Sequence, residues 1–397
     1  MNSQFEDYDY ERAAELRRLR RQKRRRKVMM MRAVFFLVLL LIVAGGAFAV
    51  SRIVLKKDSG TSGTSGSGKN NTVSNVTVTE APRETEAVPA ATEAVPAETE
   101  AQTATSDLQS TLDQAALLAA GYDYDGAIAL LQQLPDYAGN AQVTQAISDY
   151  EATKATCTAV DVTTIPHIFY HSLVNNTDAA FNVSVLGQSQ VDGMNAWMTT
   201  VEEFDKITQQ MYDNGYVFVR LHDLVTETTD ADGTVHFSPN TSLMLPPGKK
   251  AVVLSVDDLS YYHSYEPASF PDKLVLDENG DVKCHYIKPD GSEEIGDFDV
   301  VPRLNTFLKE HPDGAYKGAR GTIALTGYNG VFGYRTDSDY QTKQHLTEDQ
   351  QKWLDEHPDF DYDADIAGAK QIAEALKEEG WDFASHTWGH LSVTGKT

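Results

Sequence analysis

The chain has 397 residues, of which 41% are hydrophobic and 23% charged, and its formal net charge is -24. This length corresponds to roughly two or three domains, because domains run about 100–200 residues. So acidic a chain would repel phosphate backbones, which argues against a nucleic-acid-binding body. Two cysteines exclude a disulfide scaffold, and no Cys-x-x-Cys pair is present to hold zinc.

The amino-terminal segment differs from the rest in charge and hydropathy. Residues 1–57 carry about +9, which leaves about -33 for the remainder. A basic run at 17–27 directly precedes an apolar stretch at 33–55. About 20 apolar residues at 1.5 Å each cross a bilayer core of roughly 30 Å, and Lys and Arg stay on the cytoplasmic side. The sequence therefore predicts a basic cytoplasmic tail at 1–32 and a transmembrane signal-anchor helix at 33–55, with everything after it outside the cell.

A cleavable signal peptide is the alternative interpretation of this segment. Ala47-Phe48-Ala49 has the small-x-small pattern of a cleavage site, and cleavage would release a secreted protein. The apolar stretch is long for a signal sequence and the basic region is extended, so we favour a retained single-pass anchor in the cell membrane.

A low-complexity linker is predicted at 56–106. It begins with Gly, Ser and Thr, and the sequence Thr-Glu-Ala-Val-Pro-Ala then occurs twice, at 85–90 and 92–97. Such a composition buries too little apolar surface to offset the entropy of ordering. We expect a disordered spacer that would suit a domain held away from a membrane, across a cell wall.

Residues 107–157 have the patterns of short helices. Leu108, Leu112 and Ala115 share one face of the first helix, a second begins near residue 124 and a third covers about 141–155. The arrangement resembles a tetratricopeptide hairpin, although no 34-residue repeat is present. A packing or spacer role is favoured over peptide binding.

From residue 158 to 397, apolar strand-like runs alternate with helical patterns, which is typical of an α/β domain. The predicted strands lie at 165–170, 216–221, 251–256, 322–325 and 381–385. The predicted helices lie at 201–214, 301–310 and 366–379. A hairpin is predicted inside an insertion between residues 272 and 297, because its Glu-Asn-Gly-Asp centre is a turn signal.

Two short motifs carry candidate chemistry. Asp257 and Asp258 end a buried apolar strand, where adjacent carboxylates are costly unless a cation compensates them. A solvated loop or a helix cap is the alternative for an Asp-Asp pair alone. His386 and His390, at i and i+4, could grip one metal ion from one face of a helical turn. Two histidines and one carboxylate leave open metal positions, an arrangement that supports hydrolysis.

With these motifs in place, residues from about 166 to 390 resemble a polysaccharide deacetylase of carbohydrate esterase family 4, the NodB homology domain. The segment 252–258 is similar to the first family motif, Thr-Phe-Asp-Asp-Gly, and His-Thr-Trp-Gly-His at 386–390 fits the second, His-Ser/Thr-x-x-His. Further stretches match in order at 166–171, 201–219 and 322–327.

The resemblance implies particular roles. Asp258, His386 and His390 would bind a divalent metal, Zn²⁺ first, with Co²⁺, Mn²⁺ or Ni²⁺ as alternatives. Asp257 would be the general base toward water that the metal activates, and a backbone N–H near Leu259 would help to hold the oxyanion. The implied function is a hydrolase that removes N-acetyl groups from an extracellular glycan: peptidoglycan, a chitin-like polymer or poly-N-acetylglucosamine. The implied fold is a distorted (β/α) barrel, here partial with about five strands.

The chain departs from the family pattern in two respects. Leu259 replaces the glycine after the aspartate pair, and no Arg motif, Asp/Trp motif or Leu-x-x-His follows before Thr397. The last of these supplies the family's general acid, and neither His171 nor His345 matches its position. We therefore expect either part of a longer deacetylase or a catalytically inactive homologue that binds or scaffolds surface glycans. An O-acetyl xylan esterase is a further alternative.

Several other residues keep two interpretations. Tyr261 and Tyr262 could line a sugar groove or pack within the loop that follows the aspartates. Trp388 is expected to pack under the two histidines. Cys157 and Cys284 could form one bridge or remain unpaired, because sequence does not show proximity.

Overall fold

The computed structural model describes residues 97–391, with side chains from Asp107. The predicted tail at 1–32, the membrane anchor at 33–55 and the linker up to residue 96 lie outside the described residues. Within 97–391, no helix is both long and apolar enough to cross a membrane. The described chain from Ala97 forms one compact unit.

Eleven α-helices lie in the described chain. They are α1 Ala97–Ala120, α2 Tyr124–Leu131, α3 Ala141–Thr156, α4 Thr177–Ala180, α5 Val183–Leu186, α6 Gln188–Trp197, α7 Val201–Asp213, α8 Val300–Glu310, α9 Ser338–Thr342, α10 Glu348–Glu356 and α11 Tyr362–Glu378. The first helix begins inside the stretch that composition assigned to the linker. Six of its first ten residues are Ala, Glu or Gln, which are strong helix formers, and the linker prediction was wrong for 97–106.

Twelve β-strands accompany these helices. They are β1 Thr158–Ala159, β2 His167–Tyr170, β3 Tyr216–Phe218, β4 Val225–Thr229, β5 Val235–Pro239, β6 Met244–Leu245, β7 Lys250–Asp258, β8 Lys273–Leu276, β9 Val282–Ile287, β10 Glu293–Gly296, β11 Thr322–Leu325 and β12 Asp382–Ser385. The main sheet has the order β12-β11-β7-β2, and β3 also pairs with β7. All four of these pairings are parallel, so the protein is a mixed α/β structure built on a parallel sheet.

Strand β7 divides the core into two clusters, because its alternate side chains point to opposite faces. Val252, Leu254 and Val256 face a cluster that contains Leu304 of α8 and Ile372 of α11. Buried parallel strands are largely continuous apolar runs, which explains why β7 is apolar from Ala251 to Val256 except at Ser255.

The opposite face of β7 packs against the amino-terminal helices. Ala251 and Val253 share a second cluster with Ala115 of α1, Leu131 of α2 and Val143 of α3. The helical segment therefore belongs to the same packed body as the sheet. The proposed boundary at residues 157 and 158 does not separate two cores.

The amino-terminal helices are also hydrogen-bonded to the rest of this body. Tyr122 Oη donates to the carbonyl of Asp313 at 2.6 Å, and the Lys317 N–H donates to the carbonyl of Gly121 at 2.7 Å. These contacts join residues distant in sequence, so the segment is held by tertiary structure, as short helices generally must be.

Local sequence signals set the ends of the helices flanking the sheet. Helix α7 begins with a capping box: the Glu203 N–H donates to Thr200 Oγ1, and the Glu203 carboxylate accepts from the Thr200 N–H. Helix α11 ends just before Gly380, whose φ is +100°. A Cβ at Gly380 would lie 2.2 Å from the carbonyl oxygen of Gly318, so this turn into β12 requires glycine.

The predicted strands and helices of the α/β region are confirmed, with ends shifted by a few residues. The predicted insertion hairpin is also confirmed and gains a third strand, in the order β10-β9-β8. The β4–β5 hairpin was not predicted. Its side chains are all exposed, although β5 alternates apolar and polar residues and the Asp232-Gly233 turn was an available signal.

A buried carboxylate, Asp299, connects the sheet edge to helix α8. Its Oδ1 accepts from the N–H groups of Leu173 and Val300, and its Oδ2 accepts from Tyr261 Oη at 2.8 Å. Burial raises the pKa of Asp299 to about 6, and these hydrogen bonds offset only part of that rise.

This raised pKa predicts a specific pH dependence of stability. Between the unfolded pKa of about 4 and the folded value near 6, the native state binds more protons, so the free energy of unfolding should fall as pH rises. The full difference is about 3 kcal/mol. Asp299→Asn should remove this slope between pH 4 and 6 in urea unfolding experiments. Asp213→Asn, an exposed control on α7, should retain it; an unchanged slope in Asp299→Asn would contradict the assignment.

Candidate metal centre

The site lies where parallel strands end at one edge of the sheet. Leu325 of β11 is level with Asp258 of β7 on one side and with Ser385 of β12 on the other. Asp258 therefore faces the turn that follows β12, and that turn carries both histidines. Carboxyl ends of parallel strands are the usual place for ligand sites in open α/β sheets.

The backbone around Asp258 is in an unfavourable conformation. Asp258, Leu259 and Tyr261 all have positive φ values, of 71°, 46° and 49°. Residues other than glycine rarely adopt this region, and such strain collects at functional sites. The glycine of the family motif would suit this position, whereas Leu259 must tolerate it with a Cβ.

The two histidines reach the site through a turn. His386 follows β12 directly, and its N–H donates to the carbonyl of Leu325 at 2.8 Å. Thr387 and His390 have φ values of 65° and 53°, and Leu391 N–H donates to Thr387 Oγ1. The prediction that both rings share a face of a helical turn was wrong, because this left-handed backbone breaks the helix. The rings still converge, with centroids 4.9 Å apart.

Asp258, His386 and His390 present one ligand atom each within 4.8 Å of one another. Asp258 Oδ1 lies 2.8 Å from His390 Nε2 and 3.9 Å from His386 Nε2. Ligand atoms about 2.0–2.1 Å from a tetrahedral ion lie roughly 3.3 Å apart, and the two measured distances bracket that spacing. This group could hold a metal ion.

The exposure of the three side chains is graded. Asp258 is 10% exposed, His386 36% and His390 53%. The carboxylate is therefore desolvated at the strand end, which favours a bound cation. The two imidazoles face solvent, so a substrate could approach from their side.

Asp257 lies outside this three-residue group. Strand alternation places its side chain on the same face of β7 as Ser255, whose hydroxyl donates to Asp257 Oδ1 at 3.4 Å. Asp257 is half-buried and level with Ala324 of β11. Asp257 is thus adjacent in sequence to the ligand residue Asp258 without belonging to the ligand group.

The backbone N–H of Leu259 is not available as an oxyanion donor in this structure. It donates to the carbonyl of Asp257 at 3.0 Å, and the Leu259 carbonyl accepts from the Phe332 N–H at 2.8 Å. The Leu259 side chain is fully buried in the core. Its role here is packing, which differs from the role that the resemblance implied for this N–H.

The two tyrosines after the aspartates have different environments. Tyr261 is 3% exposed, and its hydroxyl is bonded to Asp299, so it is a core residue and does not line a surface groove. Tyr262 is partly buried, and its hydroxyl bonds to Thr326 Oγ1 at 2.6 Å. Burial, then the charge of Asp258, raises the pKa of Tyr262 to about 12, so it stays neutral at physiological pH.

The loop after β11 supplies contacts that the sequence interpretation missed. Thr326 Oγ1 bonds to Ser260 Oγ as well as to Tyr262, and the Tyr328 ring lies 5.9 Å from Tyr262 and 5.4 Å from Trp388. Trp388 is 49% exposed, so the prediction that it packs beneath the two histidines was wrong. Thr326 directly follows a predicted strand of the sheet and Tyr328 lies two residues further on, a positional signal that could have identified both.

His171 and His345, which do not match the position of the family's general acid, differ in their surroundings. His171 follows β2, and its buried Nδ1 has no hydrogen-bond partner among the described residues; its ring lies 6.4 Å from the ring of Trp197. His345 is exposed in the loop between α9 and α10.

Cys157 and Cys284 are both free, and Cys284 is buried, so the structure has no bridge between them.

Comparisons of the chain with protein-family models, with curated proteins and with solved structures each gave no match. The functional argument therefore depends on the site geometry and on the motif resemblance.

The geometry predicts that Asp258→Ala and His390→Ala weaken zinc binding. Each removes one of three ligands, and a loss of at least about 100-fold in affinity is expected, since even supporting residues around metal sites cost 10–100-fold. Isothermal titration of the metal-free protein with Zn²⁺ measures it. His236→Ala, on the exposed β4–β5 hairpin, should bind like the wild type. Equal affinities in all four proteins would contradict the site.

Leu259 provides a test of the local backbone strain. A residue other than glycine at positive φ costs about 1–2 kcal/mol, while removing a buried leucine side chain costs about 2–5 kcal/mol. The lost packing energy therefore exceeds the strain that glycine would relieve. Leu259→Gly should therefore lower the free energy of unfolding. Leu259→Ala loses most of the same packing and keeps a Cβ, so it should be about 1 kcal/mol less stable than Leu259→Gly in urea denaturation. The reverse order would contradict the strained backbone.

Proposed function

We propose that this chain is a metal-dependent hydrolase that removes acetyl groups from an extracellular glycan, as a polysaccharide deacetylase of carbohydrate esterase family 4. The observation that best supports this function is the convergence of Asp258 with His386 and His390. His390 is 132 positions away from Asp258 in the sequence. Such a set has the composition of the two-histidine, one-carboxylate sites that leave coordination positions open.

The proposed metal is zinc, because nitrogen and carboxylate ligands suit it, and Co²⁺, Mn²⁺ or Ni²⁺ are alternatives. When bound, the ion would polarise the substrate carbonyl and make water more acidic. Asp258, His386 and His390 would hold it, and the exposed side of the histidines would admit the acetyl group.

Asp257 is the proposed general base. Its carboxylate would accept the proton of the water that attacks the acetyl carbonyl, since it lies next to the ligand residue Asp258 without belonging to the ligand group. The Leu259 N–H is already bonded to the Asp257 carbonyl, so the oxyanion would need another donor. No general acid is assigned.

We propose that the parallel sheet is part of a distorted (β/α) barrel. Five strands pair in parallel, and helices α8 and α11 pack against one face of them. The amino-terminal helices pack against the other face of the sheet at the amino-terminal end of β7, around Ala251 and Val253.

A glycan is the proposed substrate class because aromatic side chains lie near the ligand residues: Trp388 stands between the two histidines in sequence, and the charge of Asp258 acts on Tyr262. Tyr262, Tyr328 and the half-exposed Trp388 form a connected set of rings, and such rings bind the apolar faces of sugars. We propose Tyr262 as a substrate contact; Tyr261 is buried and does not contact the substrate. Peptidoglycan, chitin-like polymers and poly-N-acetylglucosamine are the N-acetylated candidates, and acetylated xylan is the O-acetyl alternative.

The proposed location is the outer face of a cell membrane. Support comes from the apolar stretch at 33–55 with the basic run before it, followed by a polar, low-complexity segment. The domain would then reach a wall polymer from a single-pass anchor, or be secreted if the segment is cleaved.

One observation favours a second candidate function, a glycan-binding homologue without catalysis. Leu259 stands in place of the motif glycine, fills the core with its side chain and turns its N–H toward Asp257. If this local backbone prevents oxyanion stabilisation, glycan binding would persist without turnover.

Acetate release distinguishes the two candidates. The zinc-loaded full chain should release acetate from chito-oligosaccharides, from peptidoglycan or from poly-N-acetylglucosamine, measured by an enzyme-coupled acetate assay. Asp257→Asn should lower kcat at least about 100-fold while zinc binding persists, because only the proton acceptor is lost. Asp258→Ala should lose both acetate release and zinc binding.

His236→Ala serves as the control and should keep wild-type turnover. Full activity in Asp257→Asn would contradict its role as the base. Retention of the wild type on these glycans without acetate release would favour the non-catalytic homologue, and release from acetylated xylan alone would favour the esterase.

A further inference from the structure

One face of the parallel sheet changes from apolar to polar toward the metal centre. Ala251 and Val253 of β7 belong to the apolar cluster beneath the sheet, whereas Ser255 and Asp257 follow on the same face. The change occurs within one strand and ends at the proposed base.

The neighbouring strand β2 places a histidine beside this polar stretch. His167 is level with Val253, and Phe169 is level with Ser255. His167 Nε2 lies 3.0 Å from Ser255 Oγ, and Ser255 Oγ lies 3.4 Å from Asp257 Oδ1. The three side chains therefore form a chain of hydrogen bonds that crosses two strands and ends at Asp257.

Ser255 can direct its hydroxyl proton to one neighbour at a time. A serine hydroxyl has one hydrogen to donate and lone pairs to accept. If His167 Nε2 carries a proton, it donates to Ser255, and the serine proton is free for Asp257. If Nε2 is bare, the imidazole competes with Asp257 for that proton. Ser255 is 8% exposed, so solvent offers few other partners.

We propose that His167 and Ser255 are positioning residues for Asp257. The protonated Nε2 of His167 donates to Ser255 Oγ, and Ser255 donates its hydroxyl proton to Asp257 Oδ1. The carboxylate is thereby held in one orientation at the end of β7. This inference rests on the proposed function insofar as Asp257 is the base; the hydrogen-bond chain itself does not.

Neither positioning residue contacts the metal group. Among the described residues, no hydrogen bond joins His167 or Ser255 to Asp258, His386 or His390, and their shared chain ends at Asp257. Variants of His167 and Ser255 should therefore change turnover while leaving zinc affinity unchanged. A purely structural role would instead lower stability, substrate binding and metal binding together.

The kinetic experiment uses five variants of the full zinc-loaded chain. His167→Leu and Ser255→Ala should each lower kcat about 10-fold, the effect of one lost hydrogen bond, with KM unchanged. The double variant should be no slower than either single one, because both remove the same chain. Ser255→Thr keeps the hydroxyl, and His167→Gln keeps an N–H donor, so both should retain most of kcat.

His236→Leu is the matched histidine control, since His236 is exposed on the β4–β5 hairpin. It should leave kcat unchanged. Wild-type kcat in His167→Leu, or multiplicative losses in the double variant, would overturn the proposal. Equal loss in Ser255→Thr and Ser255→Ala would do the same.

A second measurement does not depend on activity. In ¹⁵N-histidine NMR spectra of the full chain, the His167 signal, assigned by its absence in His167→Gln, should report a proton on Nε2. Ser255→Ala and Asp257→Asn should both shift it, and His236→Leu should not. A bare Nε2, or no response to Asp257→Asn, would overturn the hydrogen-bond chain. If the wild type releases no acetate from any glycan, the proposed function fails, and these spectra alone decide the hydrogen-bond chain.

Discussion

The parallel pairing of β11 between β7 and β12 is the constraint on which the site depends. The register places Asp258, Leu325 and Ser385 at one level, so the first residue after β12, His386, arrives beside the carboxylate. A shift of one residue along β11 would send alternate side chains to the opposite face and separate the ligands. The apolar cluster around Leu254 and the helices behind it maintain this register, because a shift would bring polar side chains into it.

The strained loop after β7 is held by its neighbours, which explains how residues with positive φ persist there. Arg335, itself buried, donates from Nη1 to the carbonyls of Ser260 and Tyr261, while Phe332 N–H bonds to the Leu259 carbonyl. Asp299 holds the Tyr261 hydroxyl from the other side. Backbone polar groups that would otherwise be buried without partners are thus satisfied, and the strain at Asp258 is offset by this surrounding network.

Sequence reasoning succeeded where local patterns and burial agree. The apolar run of β7, the 3/4 spacing of α11 and the capping residues of α7 each follow from short-range chemistry, and the structure has all three elements. It failed where long-range packing decided the outcome. The β4–β5 hairpin leaves its apolar side chains, among them Val235 and Phe237, exposed; the His386 turn is not helical, and Tyr261 is in the core. Which of these side chains are buried depends on contacts beyond a short window of residues, although the Asp232-Gly233 turn was a local signal for the hairpin.

The sequence by itself determined the α/β alternation, the aspartate pair at a strand end and the two histidines four residues apart. It could do so because strand and helix periodicities and ligand chemistry are local properties. Only the tertiary structure decided that Asp258 joins the histidines while Asp257 faces Ser255 and His167. The tertiary structure likewise placed the amino-terminal helices and the sheet in one packed body. Those outcomes depend on strand register and on contacts between distant residues, which follow from the packing of the whole chain.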